Sequence, residues 1–286
     1  MRVTASPRAI RLGGSLAALA IGLSAVPAHA GVGDLLVAPT RLVIDSGRGT
    51  EVVLNNIGTD TANYRISLEL RRMDAGGNLI EVPEAQVTER EKKTLEIITY
   101  APRRVTLPPN QPQAIRVGIR APADLPDGEY RAHMVFRAIP NALPIGTTPS
   151  ASKSLSVQLI PIYGVMIPVI VRKGNLQVAA QMSGVHLGQM TVLDPKVPAQ
   201  PALDFTLNRT GTRSVYGNVR VMRAGQATPL FAVRGIAVYA ELGQRSVELP
   251  LTAAQSEVLH GPVTVEYREP DDLGGGLIAS AQAVLK

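Results

Sequence analysis

The stretch LSVQLIPIYGVMIPVIVRK, residues 155 to 173, runs for 17 residues without a charge before Arg172. Seventeen residues is the bottom of the range that crosses a bilayer as a helix, about 17 to 25. Pro161, Gly164 and Pro168 interrupt the run, and Val157, Ile160, Ile162, Val165, Ile167, Val169, Ile170 and Val171 are β-branched, which favours an extended strand. Most strands are about 5 to 6 residues long. A strand three times that length is expected to serve more than one sheet or more than one chain. Its first part alternates, with Leu155, Val157 and Leu159 on one face and Ser154, Ser156 and Gln158 on the other. That is the pattern of an edge strand beside water. The part after Ile160 is apolar on both faces and is assigned to the local core.

Outward from this stretch, alternating apolar segments dominate. Leu35 to Asp45, Thr50 to Asn56, Tyr64 to Leu70, Leu95 to Tyr100, Ala114 to Arg120, Tyr130 to Ile139 and Leu155 to Val171 each read as a strand between Gly, Pro, Asn or Asp clusters. After Arg172-Lys173-Gly174-Asn175 the pattern restarts at Leu176 to Met182, Leu203 to Asn208, Val215 to Met222, Phe231 to Tyr239, Arg245 to Leu249, Pro262 to Tyr267 and Leu277 to Val284. The expected class is all-β, with two immunoglobulin-like sandwiches over residues 31 to 173 and 174 to 286. Glu81 to Lys93 is charged and weakly periodic and reads as an exposed insertion with room for one helical turn, and Asn141 to Lys153 as a long loop leading into the opening stretch.

Residues 1 to 30 carry Arg2, Arg8 and Arg11, an apolar run from Leu12 to Val26, and Ala28-His29-Ala30. These are the charged region, apolar region and cleavage site of a secretory signal peptide, in order. Its removal takes three arginines and no acid from a net charge of +6, leaving +3. The remaining charges are scattered, with three Phe and no Trp to stack on bases, so nucleic acid is not an expected partner. No other segment is long enough to span a membrane, so no stable insertion is expected after cleavage. The chain has no cysteine, which excludes disulfides and thiol chemistry.

Enzymatic motifs are missing. His133, His186 and His260 fall on separate expected strands or near their edges without close pairing, so neither a metal site nor a cofactor is expected. Gly274-Gly275-Gly276 lacks the lysine and helix start of a phosphate loop and reads as a hairpin turn. No G-x-S-x-G occurs in the processed chain. Arg41, in VAPTRLVID, is placed among apolar residues. It is either an edge arginine reaching water or an anion anchor whose planar fork matches a carboxylate.

Two blocks are more specific: Pro102-Arg103-Arg104-Val105-Thr106-Leu107-Pro108-Pro109, with Gln113 and Arg116 beyond it, and Leu125-Pro126-Asp127-Gly128-Glu129-Tyr130-Arg131 running to Ile139-Pro140. From about Leu35 to Arg172 the sequence resembles the periplasmic pilus-assembly chaperones of the chaperone-usher pathway, and the D-G-E-Y-R form is similar to their archaic branch. The resemblance implies a boomerang of two immunoglobulin-like domains, located in the periplasm, that binds pilin subunits and delivers them to an outer-membrane usher. Such a chaperone lends its G strand to a subunit lacking a strand. By the same resemblance Leu155, Val157, Leu159 and Tyr163 would enter the subunit, and Arg41 would grip its C-terminal carboxylate. Arg116, Glu129 and Asp272 would form a charged network between the domains. The family's second cation, a lysine on the G strand, aligns with Pro168, with Arg172 or Lys173 as substitutes. A secreted two-domain adhesin or structural protein that lends no strand is the competing expectation.

Overall fold

The computed structural model describes residues 34–45, 49–140, 162–190 and 198–286. The expected signal peptide, the expected loop at 141–153 and Leu155, Val157 and Leu159 lie outside the described residues.

The chain forms two immunoglobulin-like β-sandwiches. In the first, β1 (Leu35–Ala38), β3 (Thr50–Asn56), β9 (Pro112–Ile119) and β7 (Ile98–Ala101) make one sheet in the order β1-β3-β9-β7. The facing sheet has the order β2-β11-β10-β4-β8, from β2 (Leu42–Ile44), β11 (Gly164–Lys173), β10 (Gly128–Ile139), β4 (Ala62–Glu69) and β8 (Arg104–Leu107). Alternate residues of both sheets, among them Val52, Leu54, Ile115, Met134, Phe136, Ile167 and Val169, fill the space between them and are buried. Tyr130, at the start of β10, donates its hydroxyl to the Pro126 carbonyl four residues back, at 2.6 Å. This closed corner is a hallmark of immunoglobulin-like sandwiches.

The single strand expected over Leu35 to Asp45 divides. Pro39 has no N–H to pair, and at Pro39-Thr40-Arg41 the chain leaves one sheet for the other. β2 then pairs in parallel with β11 over only three residues, Leu42 to Val169, Val43 to Ile170 and Ile44 to Val171. Continuing this register by one residue puts Arg41 level with Pro168.

β11 is also less uniform than its sequence implied. Val165, Ile167, Val169 and Val171 face the first core, with Val165 only partly buried. On the other face Met166 is exposed, Pro168 is half-buried, and Ile170 packs in a separate cluster with Met73, Ala237 and Tyr239. The expectation that all residues after Ile160 belong to the local core therefore holds for one face only. The other face meets the second sandwich.

The charged insertion, Glu81 to Lys93, is preceded by a hairpin and runs into a helix that takes in the first residues of the strand expected over Leu95 to Tyr100. β5 (Arg71–Met73) and β6 (Leu79–Glu81) form a hairpin, followed by α1 (Glu89–Ile97). Thr88 caps α1: its hydroxyl accepts from the Glu91 N–H, and the Glu91 carboxylate accepts from the Thr88 N–H. This reciprocal pairing satisfies two donors that a helix start leaves free. Thr94 and Ile97 bury the inner face, and Ile98 turns directly into β7.

The second sandwich pairs β12 (Ala180–Met190), β13 (Gln200–Arg209) and β16 (Gln244–Pro250) in one sheet. Its other sheet has the order β15-β14-β17-β18, from β14 (Val215–Met222), β15 (Phe231–Val238), β17 (Gly261–Arg268) and β18 (Leu277–Leu285). Leu203, Leu207, Val219, Val265 and Tyr267 lie in its core. Gly274 and Gly275 adopt positive φ, 105° and 64°, between β17 and β18, where a side chain would strain the turn. Short α2 (Ala253–Val258), also capped by a threonine and a glutamine, links β16 to β17.

Phe136 is fully buried between the sheets of the first sandwich. Phe136→Ala is expected to cost about 3 to 5 kcal/mol. Urea unfolding measures this, and a loss below about 1 kcal/mol would mean that this face of β10 does not point into the core.

Candidate functional site

The two sandwiches meet along the outer face of β10 and β11, and the chemistry of the junction starts from residues that the sequence places two apart. On β10, Glu129, Arg131 and His133 point to one side, and on β11 so do Ile170 and Arg172. The side chain of Glu129 is 1% exposed. Its Oε2 accepts from Arg172 Nε at 3.0 Å and from the backbone N–H of Ser214, in the second sandwich, at 3.2 Å. A carboxylate removed from water is costly unless it is paired and hydrogen-bonded. One carboxylate thus ties the last strand of the first sandwich to the residue that leads into β14.

Arg131 makes a second connection. Its guanidinium lies 3.8 Å from the ring centroid of Tyr239, donates to the Arg71 carbonyl and pairs with Glu241. Glu241 also accepts from the Met73 N–H at 2.9 Å, and the Ser246 N–H donates to the Ala75 carbonyl at 2.8 Å. The β5–β6 hairpin is therefore a clasp on the second sandwich. Gly77 at its tip has φ 93° and lies against the Arg245 guanidinium, where a Cβ would be only 2.2 Å away.

His133 is fully buried beside these groups, edge-on to Tyr239 with centroids 6.3 Å apart. Burial first, then the charges of Arg131 and Arg71, push its pKa down to about 3. The ring is neutral and accepts from Arg131 at 3.1 Å.

On the other side of the junction a cleft of about 650 Å³ opens between the sandwiches. Pro39, Thr40, Arg41, Val43, Asp45 and Arg172 form one wall, and Arg213, Tyr216, Asn218, Arg234 and Glu269 to Leu273 the other. Arg41 crosses the cleft with its guanidinium carbon 4.2 Å from the Tyr216 ring centroid. Its Nε is buried without a hydrogen-bond partner, and among the described residues no carboxylate pairs with it. Burial lowers its pKa, the nearby Tyr239 opposes that, and the charge of Arg172 lowers it further. An arginine remains charged under such shifts. The wall thus presents a desolvated cation suited to an incoming anion.

The residues singled out in sequence are distributed unevenly. Arg41 and Asp272 line the cleft, Glu129 lies behind it, and Asp272 enters no ion pair among the described residues. Arg116 is not brought to the junction: it is exposed on β9 and pairs with Glu51 of β3 at 3.3 Å. Arg172 faces the junction, whereas Lys173 turns away and donates to the Ala123 and Leu125 carbonyls. Tyr163 precedes β11 and is 56% exposed, with Ile162 beside it at 58%. Among the described residues no group of three or more His, Cys, Asp or Glu could hold a metal ion, and no helix is long and apolar enough to cross a membrane.

Tyr216, Tyr239 and Glu241 carried no sequence signal. Each acquires its role only when the second sandwich is placed against the first. Arg131 sits inside the D-G-E-Y-R block, where its alternation with Glu129 could have marked it as a junction residue.

No family model and no curated protein matches the chain. Solved structures do. The chain is similar to the CupB2 chaperone of Pseudomonas aeruginosa, with 15% identity over 88% of this chain and 100% of that one, at a TM-score of 0.43. It is similar to a chain of the complex of SafA pilin with the SafB chaperone from Salmonella enterica, with 14% identity, 89% and 98% coverage and a TM-score of 0.43. A third likeness is to a chain of the CsuC-CsuE chaperone and tip subunit complex of the archaic chaperone-usher Csu pili of Acinetobacter baumannii, with 13% identity, 88% and 97% coverage and a TM-score of 0.41.

The depressed pKa of His133 has a consequence for stability. Between pH 6.5, the ordinary histidine value, and about 3, the unfolded chain binds a proton that the folded chain refuses, so stability falls as the pH falls. At pH 5 the loss from this group reaches as much as about 2 kcal/mol. Urea unfolding at pH 7 and pH 5 is expected to show it, and His133→Gln is expected to remove it. Equal pH dependence in the two proteins would mean that the histidine ring stays in contact with water.

Proposed function

We propose that this protein is a periplasmic assembly chaperone that holds pilin-like subunits by lending them the strand running into β11, and delivers them to an outer-membrane usher. The observation that carries this reading is the edge of the first sandwich. β2 guards β11 only from Val169 to Val171, and from Gly164 to Pro168 no strand among the described residues pairs with that side. An unguarded edge is a template for another chain.

The faces of the strand support the same reading. The side that carries Val165, Ile167, Val169 and Val171 into the core has exposed Tyr163 next along it, and in sequence Leu159, Val157 and Leu155 follow at the same odd-numbered positions. A subunit lacking a strand would receive these side chains as an extension of the chaperone's own core. Three or four such anchors contribute about 1.5 to 3 kcal/mol each before ordering costs are subtracted. Arg41, a desolvated guanidinium that no carboxylate pairs with among the described residues, would receive the subunit's C-terminal carboxylate, a charged hydrogen bond worth about 1.5 to 3 kcal/mol. Apolar donation therefore sets affinity, and Arg41 sets register. The cleft and strand bind and orient; the reading requires no bond-making step.

Leu159→Asp is expected to abolish capture of a subunit co-expressed in the periplasm while the purified variant keeps its melting temperature. Undiminished co-purification would sink strand donation. Arg41→Ala is expected to weaken capture by roughly 10- to 100-fold, and extending the subunit's C terminus by three residues to do the same. If extension changes nothing, Arg41 does not hold a carboxylate.

A further inference from the structure

We infer that Tyr216, contributed by the second sandwich, is a positioning residue for the anion grip of Arg41, so that recognition of a C-terminal carboxylate depends on both domains at once. The inference rests on the carboxylate reading of Arg41 and adds a residue that lies on neither the donor strand nor the first domain.

Arg41 follows Pro39-Thr40, between two short strands, and an arginine there has several rotatable bonds and little to hold them. Its backbone is anchored because Leu42 enters the sheet beside Val169. Its side chain has no ion pair among the described residues, and its Nε has no hydrogen-bond partner. What it does have is the Tyr216 ring, 4.2 Å from the guanidinium carbon. A guanidinium lying over an aromatic face is attracted by the ring's quadrupole. The planar fork is then restrained in orientation while its terminal N–H groups are left for an acceptor.

Pro168, level with Arg41 on the adjacent strand, has no N–H and no charge with which to assist. Arg172, whose charge acts on Arg41, is committed to Glu129. Restraint of Arg41 thus comes from across the cleft. Tyr216 itself is fixed, since β14 pairs with β15 through Tyr216 and Ala237, and its ring packs at the edge of the cluster that contains Ile170 and Tyr239. A lysine at position 41 would keep the charge but lose the planar stack, so the arrangement favours arginine in particular.

The experiment uses the full processed chain and the subunit that co-purifies with it from the periplasm, prepared with its native C terminus and with a three-residue C-terminal extension. Binding of both forms is measured for wild type, Tyr216→Phe and Tyr216→Leu. Wild type is expected to prefer the native terminus. Tyr216→Phe keeps the ring and is expected to retain that preference, whereas Tyr216→Leu is expected to reduce it about tenfold while binding the extended form as before. An undiminished preference in Tyr216→Leu, or equal weakening toward both forms, would overturn the positioning role. Absence of any preference in wild type would instead overturn the carboxylate reading of Arg41. Should Tyr216→Leu fail to fold, Arg41→Lys decides: it is expected to lose the preference, and a lysine that keeps it would show that the stack is not needed.

Discussion

The arrangement of this molecule depends on one buried carboxylate. Glu129 lies at the start of β10, behind the cleft, and holds Arg172 from its own sandwich and a backbone N–H from the other. Breaking a buried pair by removing one partner typically costs about 3 to 5 kcal/mol, because the other charge is left stranded. The pair itself lies within the first sandwich, so what a slide of the domains would break is the bond from the Ser214 N–H to the buried Glu129 carboxylate. That constraint keeps Ile170 against Tyr239 and Arg41 against Tyr216.

The junction is built from few residue types. The chain has no cysteine and no tryptophan, so neither a disulfide nor an indole can fix the domains. Arginines of the first sandwich lie over tyrosines of the second at two places, Arg41 over Tyr216 and Arg131 over Tyr239, with the apolar contact of Met73, Ile170 and Ala237 between. Such contacts contribute from about 0.5 kcal/mol when exposed to about 2 when desolvated. They bury the arginine stems while leaving guanidinium edges free to bond. A junction made this way can be firm and still present cationic groups to a ligand.

Much of the fold was legible in the sequence because strands obey short-range alternation. Thr50 to Asn56 and Val215 to Met222 have the bounds their patterns imply. The misses have local physical causes. Leu35 to Asp45 looked continuous, since alternation does not report which sheet a strand joins, and the break at Pro39 moved β2 to the opposite layer. α1 is longer than the single turn its weak periodicity suggested and takes in Leu95 to Ile97, expected as strand, because its charged face outweighs the two residues it buries, although Thr88 and Glu91 carried the capping signal. At the site, Arg41, Glu129 and Asp272 reach the junction region, while Arg116 points to solvent from a different sheet. Tyr216 and Tyr239 were invisible in sequence, because an interface between domains leaves no periodic trace in either.

The three-residue parallel pairing of β2 with β11 also gives the molecule a built-in ruler. Arg41 marks its origin, level with Pro168, and residues of one face then follow along β11 toward its N terminus at about 6.6 Å per pair of steps. If the origin grips the end of another chain, every apolar side chain along the edge is assigned a depth in that chain before contact is made. A one-residue slip would exchange the two faces of the strand, which in sequence alternate Leu155, Val157 and Leu159 with Ser154, Ser156 and Gln158. Length measured along a strand, rather than the chemistry of any single pocket, would then decide which segments of a partner are accepted.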